Sequence, residues 1–172
     1  MNNITSQQIW HALNQVKDPE IPVVSVVEMG IVRDVVVEGE TVRVTMTPTF
    51  SGCPALDVMK RDMETAVRQL GIEQVTVETV LHPPWTTDWI SDEAREKLRL
   101  FGLAPPQKHG GDLISVAFLD VAECPRCGSK NTVIKNSFGP TLCRMIYYCN
   151  DCQDAFEPVS YTHLRAHETP LH

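Results

Sequence analysis

Apolar positions near the amino terminus first recur at helical spacing: Ile9, Leu13 and Val16 share a face behind Thr5-Ser6-Gln7-Gln8. Thr5 is placed to cap that helix, with Gln8 reaching back to it. Asp18-Pro19-Glu20 and Pro22 stop the pattern, and the period then changes to two. Ile31 to Val37 and Thr41 to Thr47 are β-branched runs, the second alternating through Val42, Val44 and Met46, and Glu38-Gly39-Glu40 joins them as a hairpin. Pro48 to Gly52 is turn-rich. Pro54 fits the first position of a second helix carrying Val58, Met63, Ala66, Val67 and Leu70, which Gly71 closes in a left-handed cap. Gln74 to Leu81 predicts a third strand through Val75 and Val77, and Ser91 starts a third helix whose Ala94, Leu98 and Phe101 share a face. The order α-β-β-α-β-α predicts a small α+β domain over residues 1–103.

Ala104-Pro105-Pro106-Gln107-Lys108-His109-Gly110-Gly111 combines stiff prolines with paired glycines, which predicts a linker over 104–111. Residues 112–158 are too few to bury a large apolar core, so this second domain needs a metal or a covalent staple. The stretch 159–172 differs in kind: Val159 to Thr169 reads like a translated sequencing-library adapter and is expected to be foreign to the protein. The competing reading is a genuine tail in which His163 and His167, four apart, bind a metal on a helix.

Composition narrows the classes of function. No stretch approaches roughly 18 consecutive apolar residues, and Met1 to Trp10 has neither a basic region nor an apolar signal core. A cytoplasmic protein without membrane contact is expected. Its 6 cysteines then point to metal or thiol chemistry, because a reducing compartment keeps thiols free. A formal net charge of -7 argues against a nucleic-acid partner, since phosphate binding needs clustered Lys and Arg.

Cys124-Pro125-Arg126-Cys127 and Cys149-Asn150-Asp151-Cys152 are two C-x2-C knuckles. Each turns two thiolates toward one point, and four thiolates make the closed tetrahedral shell that structural zinc prefers. A rubredoxin-like iron would use the same ligands, and a redox pair or unmetallated thiols are the alternatives. Acidic residues outnumber basic ones between Asp112 and Glu157, so this ribbon is expected to meet a protein. Cys143 lies between the knuckles with three readings open: a buried apolar residue, an alternate ligand or a reactive thiol.

Cys53, at the junction of the turn-rich loop and the second helix, is expected among exposed amide donors that favour its thiolate. It is read either as a nucleophile or iron ligand, or as a small core residue. Asp18 and Glu20 present two carboxylates from a turn, and His82-Pro83-Pro84-Trp85 is placed to close over the same face. Turn chemistry and aromatic packing are the plain readings of these two motifs.

Taken together, Asp18-Pro19-Glu20-Ile21-Pro22, Gly30-Ile31-Val32, Thr47 to Pro54 and the run from Pro83 to Ile90 resemble the PaaD (PaaJ) family, as does the ribbon after them. The resemblance covers Met1 to about Glu157 and implies a SufT-like iron-sulfur assembly domain followed by a β-rich, four-cysteine zinc ribbon. It also implies an accessory role in phenylacetate degradation, where a multicomponent oxygenase epoxidises phenylacetyl-CoA. That role is maturation of an iron-sulfur or metal centre, with a non-catalytic interaction component as the alternative. The partners implied are the iron-sulfur reductase and/or the di-iron oxygenase subunit. The cofactors implied are structural zinc on Cys124, Cys127, Cys149 and Cys152 and a transient iron or iron-sulfur cluster, with Cys53 as the contact thiol. No catalytic residue is assigned: the sequence has no Glu-x-x-His pair for a di-iron bundle, no G-x-G-x-x-G loop and no plant-type cluster motif.

Overall fold

The structure, a computed structural model, describes residues 4–49, 52–106, 108, 122–136 and 145–158. Cys143, the tail 159–172 with His163 and His167, and Gln107 and residues 109–111 of the expected linker lie outside them. The chain folds as two compact units, Met1–Ala94 and Arg95–His172.

In the first unit, helix α1 (Ser6–Leu13) opens on a complete capping box, in which Thr5 Oγ1 accepts from the Gln8 amide while the Gln8 side chain accepts from the Thr5 amide. The helix ends at Leu13, before Val16, although Val16 stays buried. Strands β1 (Val32–Glu38) and β2 (Thr41–Met46) form the expected antiparallel hairpin, and α2 (Leu56–Arg68) leads to β3 (Gln74–Thr79). β3 pairs parallel to β2, so α2 is the crossover of a β-α-β unit. Gly71, at φ +91°, supplies the left-handed residue that ends α2's last turn.

Register decides where the core lies. Val42 faces Val75 and Val44 faces Val77, putting the buried valines of both strands on one side of the sheet. Helix α1 packs on α2 and β1, and α2 on β3. Ile9 and Leu13, then Met59, Met63 and Val67, are the buried positions of the two helices; Val58, expected on the buried face, is exposed, and its neighbour Met59 points inward instead. Burying side chains of this size contributes roughly 1.5–3 kcal/mol each.

Helix α3 (Asp92–Leu100) begins where expected, with Ser91 Oγ accepting from the Ala94 amide at 3.0 Å. Ala94 and Leu98 are fully buried, whereas Phe101 lies beyond the helix end and is about half exposed, at 48%. The shared face thus stops one position short of the expectation.

In the second unit, β4 (Leu103–Ala104) pairs parallel to β7 (Ala155–Pro158), and β5 (Thr132–Asn136), β6 (Ile146–Cys149) and β7 form an antiparallel ribbon. The sheet order is β4-β7-β6-β5. Its core is Ala104, Cys124, Tyr147, Cys149 and Phe156, with the Tyr147 and Phe156 rings 5.8 Å apart. Two of these five core residues among those described are cysteines. The observed class is α+β, with element order α-β-β-α-β-α followed by a β-rich ribbon, and α3 spans the boundary between the two units.

Candidate metal centre and loop thiol

The ribbon's four knuckle thiols converge. Cys124, Cys127, Cys149 and Cys152 place their Sγ atoms within 4.8 Å of one another. The two cross-knuckle pairs, Cys124 with Cys152 and Cys127 with Cys149, are each 3.6 Å apart. A tetrahedron with metal–sulfur bonds of about 2.3 Å has edges of about 3.8 Å, so the spacing and the soft donor set both fit a four-coordinate metal.

The backbone prepares these donors. The Gly128 amide bonds to the Cys124 carbonyl and the Gln153 amide to the Cys149 carbonyl, at 2.9 and 3.0 Å, closing equivalent turns around each knuckle. Amides of Cys152 and Asp151 point at Cys149 Sγ and bring its pKa down to about 7, against the effect of burial. Desolvation, followed by the neighbouring thiols, pushes Cys152 up to about 12.

Sequence reasoning passed over the polar residues between the knuckles. Asp151 accepts from the Asn131 side-chain amide at 2.8 Å and from the Ser129 hydroxyl, and these bonds hold its carboxyl below the usual range. Asn150 Nδ2 donates to Asn131 Oδ1 at 3.0 Å, and Arg126 pairs with Asp154 at 3.0 Å. The available signal was the crowding of Asn, Asp and Ser beside each C-x2-C.

Cys53 is half-buried in the first unit. The second helix starts at Leu56, not Pro54, because Pro54 and Ala55 are spent in a turn where the Leu56 amide bonds to the Cys53 carbonyl at 3.2 Å. The amides of Ala55 and Leu56 do reach the thiol, as expected of a helix start. They do not prevail. Burial is the largest influence and raises the thiol's pKa, and the charges of Glu20 and Asp18 raise it further. The expected thiolate preference is therefore reversed.

The two carboxylates whose charges act on Cys53 come from the loop after α1. Asp18 Oδ1 accepts from the amides of Glu20 and Ile21 at 2.8 and 3.2 Å, a turn that shapes its own loop. An isolated Lys17–Ser25 bridge and the Asp18 amide bonded to the Val24 carbonyl at 3.1 Å close the loop's base.

The segment after His82 docks on the stretch that enters β1. Trp85 is buried and its indole N–H donates to the Met29 carbonyl at 2.9 Å, while the Arg33 guanidinium lies 3.4 Å over the Trp89 ring. Gly30, at φ +66°, lets the backbone approach Trp89: a Cβ there would fall 2.5 Å from Trp89 Cβ. Among the described residues no helix is long and apolar enough to cross a membrane.

Fold and site thus define a chain that joins a small α+β domain to a four-thiol ribbon. Residues 6–80 match the family described as iron-sulfur cluster assembly protein, and residues 118–160 match the PaaD zinc beta ribbon domain. A protein of Escherichia coli, named as the D-type subunit of a "Putative 1,2-phenylacetyl-CoA epoxidase", is 39% identical over 150 residues, spanning 87% of this chain and 89% of that one. The chain belongs to the PaaD family. An Fe-S protein maturation auxiliary factor of Porphyromonas gingivalis is 36% identical over 96 residues, 55% of this chain and 90% of its own. A crystallised domain of unknown function, DUF59, from Bacillus anthracis has a TM-score of 0.51 at 28% identity, covering 54% of this chain and 89% of that one.

Proposed function

We propose that the protein is an accessory factor of a phenylacetyl-CoA epoxidase system, assisting maturation of an iron-sulfur cluster or metal centre and leaving epoxidation to other subunits. One observation carries this reading: the half-buried thiol at the loop end before α2 is reached by two backbone amides and by the charges of Glu20 and Asp18 from the loop after α1. That loop lies inside the segment matching the iron-sulfur cluster assembly family. Burial and carboxylates oppose a bare thiolate there, but an arriving iron ion reverses both effects, because its positive charge favours thiolate and carboxylate together. Cys53 accordingly stays protonated until iron or a cluster is presented, with Asp18 and Glu20 as accessory hard donors. In the ribbon, Cys124, Cys127, Cys149 and Cys152 hold one structural zinc, whose binding supplies folding energy to this small domain.

The clients on this reading are the iron-sulfur reductase and/or the di-iron oxygenase subunit, met in the cytoplasm. The test is to delete the protein and measure iron and labile sulfide in both purified client subunits. A deficit in either supports maturation, and normal content in both overturns it. A second reading, a purely structural component of the complex, draws on the same raised thiol pKa, since a protonated half-buried cysteine is also ordinary packing. Stable stoichiometric co-purification with the oxygenase, together with normal cluster content after deletion, favours that reading.

A further inference from the structure

The two knuckles come from chain segments separated by 21 residues, and in a four-thiol site the metal itself is the usual link between such halves. Here a second link is built beside it. We propose that Ser129, Asn131, Asn150 and Asp151 form a clasp that locks the knuckles together from outside the thiol cluster and sets how slowly the metal leaves. This rests on the reading that the four thiols hold a metal.

Asn131 is the hub of the clasp. Its backbone amide donates to Ser129 Oγ at 3.0 Å, and its carbonyl accepts from the Asn150 amide at 2.9 Å. Its side-chain oxygen accepts from Asn150 Nδ2 at 3.0 Å, and its side-chain nitrogen donates to Asp151 Oδ1 at 2.8 Å. Ser129 Oγ donates to the other Asp151 oxygen. Both backbone groups and both side-chain polar atoms of Asn131 are thereby engaged. Three of these four bonds reach the second knuckle directly, and the fourth holds Ser129, which reaches it too.

Ser129 and Asn131 follow the first knuckle closely, and Asn150 and Asp151 are the two residues between Cys149 and Cys152. None of the four supplies sulfur to the thiol cluster. Their side chains add nothing to the apolar core. Their geometric effect is to fix the separation of the two thiol pairs.

Metal loss from a four-thiolate site proceeds through opening of one half. While the clasp holds, an opened pair stays at high effective concentration beside the metal and closes again. Partners that orient ligands without touching the metal typically change metal affinity by about 10–100-fold when removed, and the clasp has that relation to Cys149 and Cys152. Asp151 is also one of the residues whose amide points at Cys149 Sγ, so its side-chain bonds steady a donor to the thiol.

The experiment uses the full chain loaded with zinc, or with cobalt as a spectroscopic probe, and follows transfer to excess chelator. Asn131→Ala and Asp151→Ala should each release metal about 10–100-fold faster, with the cobalt–thiolate spectrum of a tetrahedral four-sulfur site retained. Asp151→Asn, which keeps one acceptor oxygen, should fall between them and the wild type. The double variant Asn131→Ala/Asp151→Ala should release metal more slowly than the product of the two single effects, because both singles already lose the bond that Asn131 and Asp151 share. Should Asn131→Ala lose its metal during purification, the graded rates of Asp151→Asn and Ser129→Ala carry the test. Release at the wild-type rate in the singles, or full additivity in the double, overturns the clasp while leaving the metal reading intact. A wild type that binds neither zinc nor cobalt overturns both.

Discussion

The two units use cysteine in opposite ways. In the ribbon, Cys124 and Cys149 are two of five core residues, and all four knuckle thiols face one another. In the first unit the core is complete without sulfur from cysteine: valines, isoleucines, leucines and methionines of the sheet and helices fill it, and Cys53 stands half-buried on a loop. A thiol that a fold requires is accounted for by its neighbours. One that the fold does not require, held among amides and carboxylates, is open to a chemical role.

Replacing Cys149 with Ser is expected to have the largest effect. On the zinc reading it removes one of four ligands, and structural zinc in small domains contributes about 10–16 kcal/mol. Loss of the metal and collapse of the ribbon's amide spectrum are expected, with the first unit's signals unchanged. Loss of both units together would show that they do not own separate cores. The reciprocal variant, Leu13→Ala, empties a fully buried site between elements of the first unit and should cost it about 2–5 kcal/mol, while metal content stays at one per chain. Denaturant melts with parallel zinc analysis separate the two.

Smaller effects concern the first unit's loops. Gly30→Ala places a Cβ against Trp89 Cβ and its carbonyl in a backbone conformation that L residues rarely adopt. A loss of about 1–3 kcal/mol is expected from the backbone alone, with altered fluorescence of Trp89 as the local readout. The smallest change is electrostatic. Because burial first and then Glu20 and Asp18 raise the Cys53 thiol, its alkylation by iodoacetamide should rise at a higher pH than that of a free cysteine. Glu20→Gln removes one of the opposing charges, so the curve should move to lower pH. No movement would take Glu20 out of the thiol's surroundings.

Local signals in the sequence were reliable where a local force sets the structure. The Thr5–Gln8 capping box, the left-handed Gly71, the Ser91 cap and the two C-x2-C knuckles each depend on residues a few positions apart. What escaped depends on distant residues. The parallel pairing of β3 with β2 is a tertiary contact, and the thiolate preference of Cys53 reversed because burial and the carboxylates of a loop far back in the chain outweigh the nearby amides. Phe101 kept the helical period but lay past the helix end, where periodicity has no meaning. The clasp went unread for a further reason: Asn, Asp and Ser flanking a turn ordinarily serve that turn, and only the pairing of the two knuckles shows that they bond across it.

If Cys53 is the working thiol of the first unit, Cys53→Ser should expose it. The substitution keeps nearly the same volume at a half-buried position, so a packing role would leave the protein folded and effective. In cells carrying the variant as their only copy, iron and labile sulfide should be measured in the purified reductase and oxygenase subunits, with growth on phenylacetate alongside. A working thiol predicts a folded protein with its ribbon zinc in place, depleted client clusters and little growth. Full growth with normal cluster content would contradict that role.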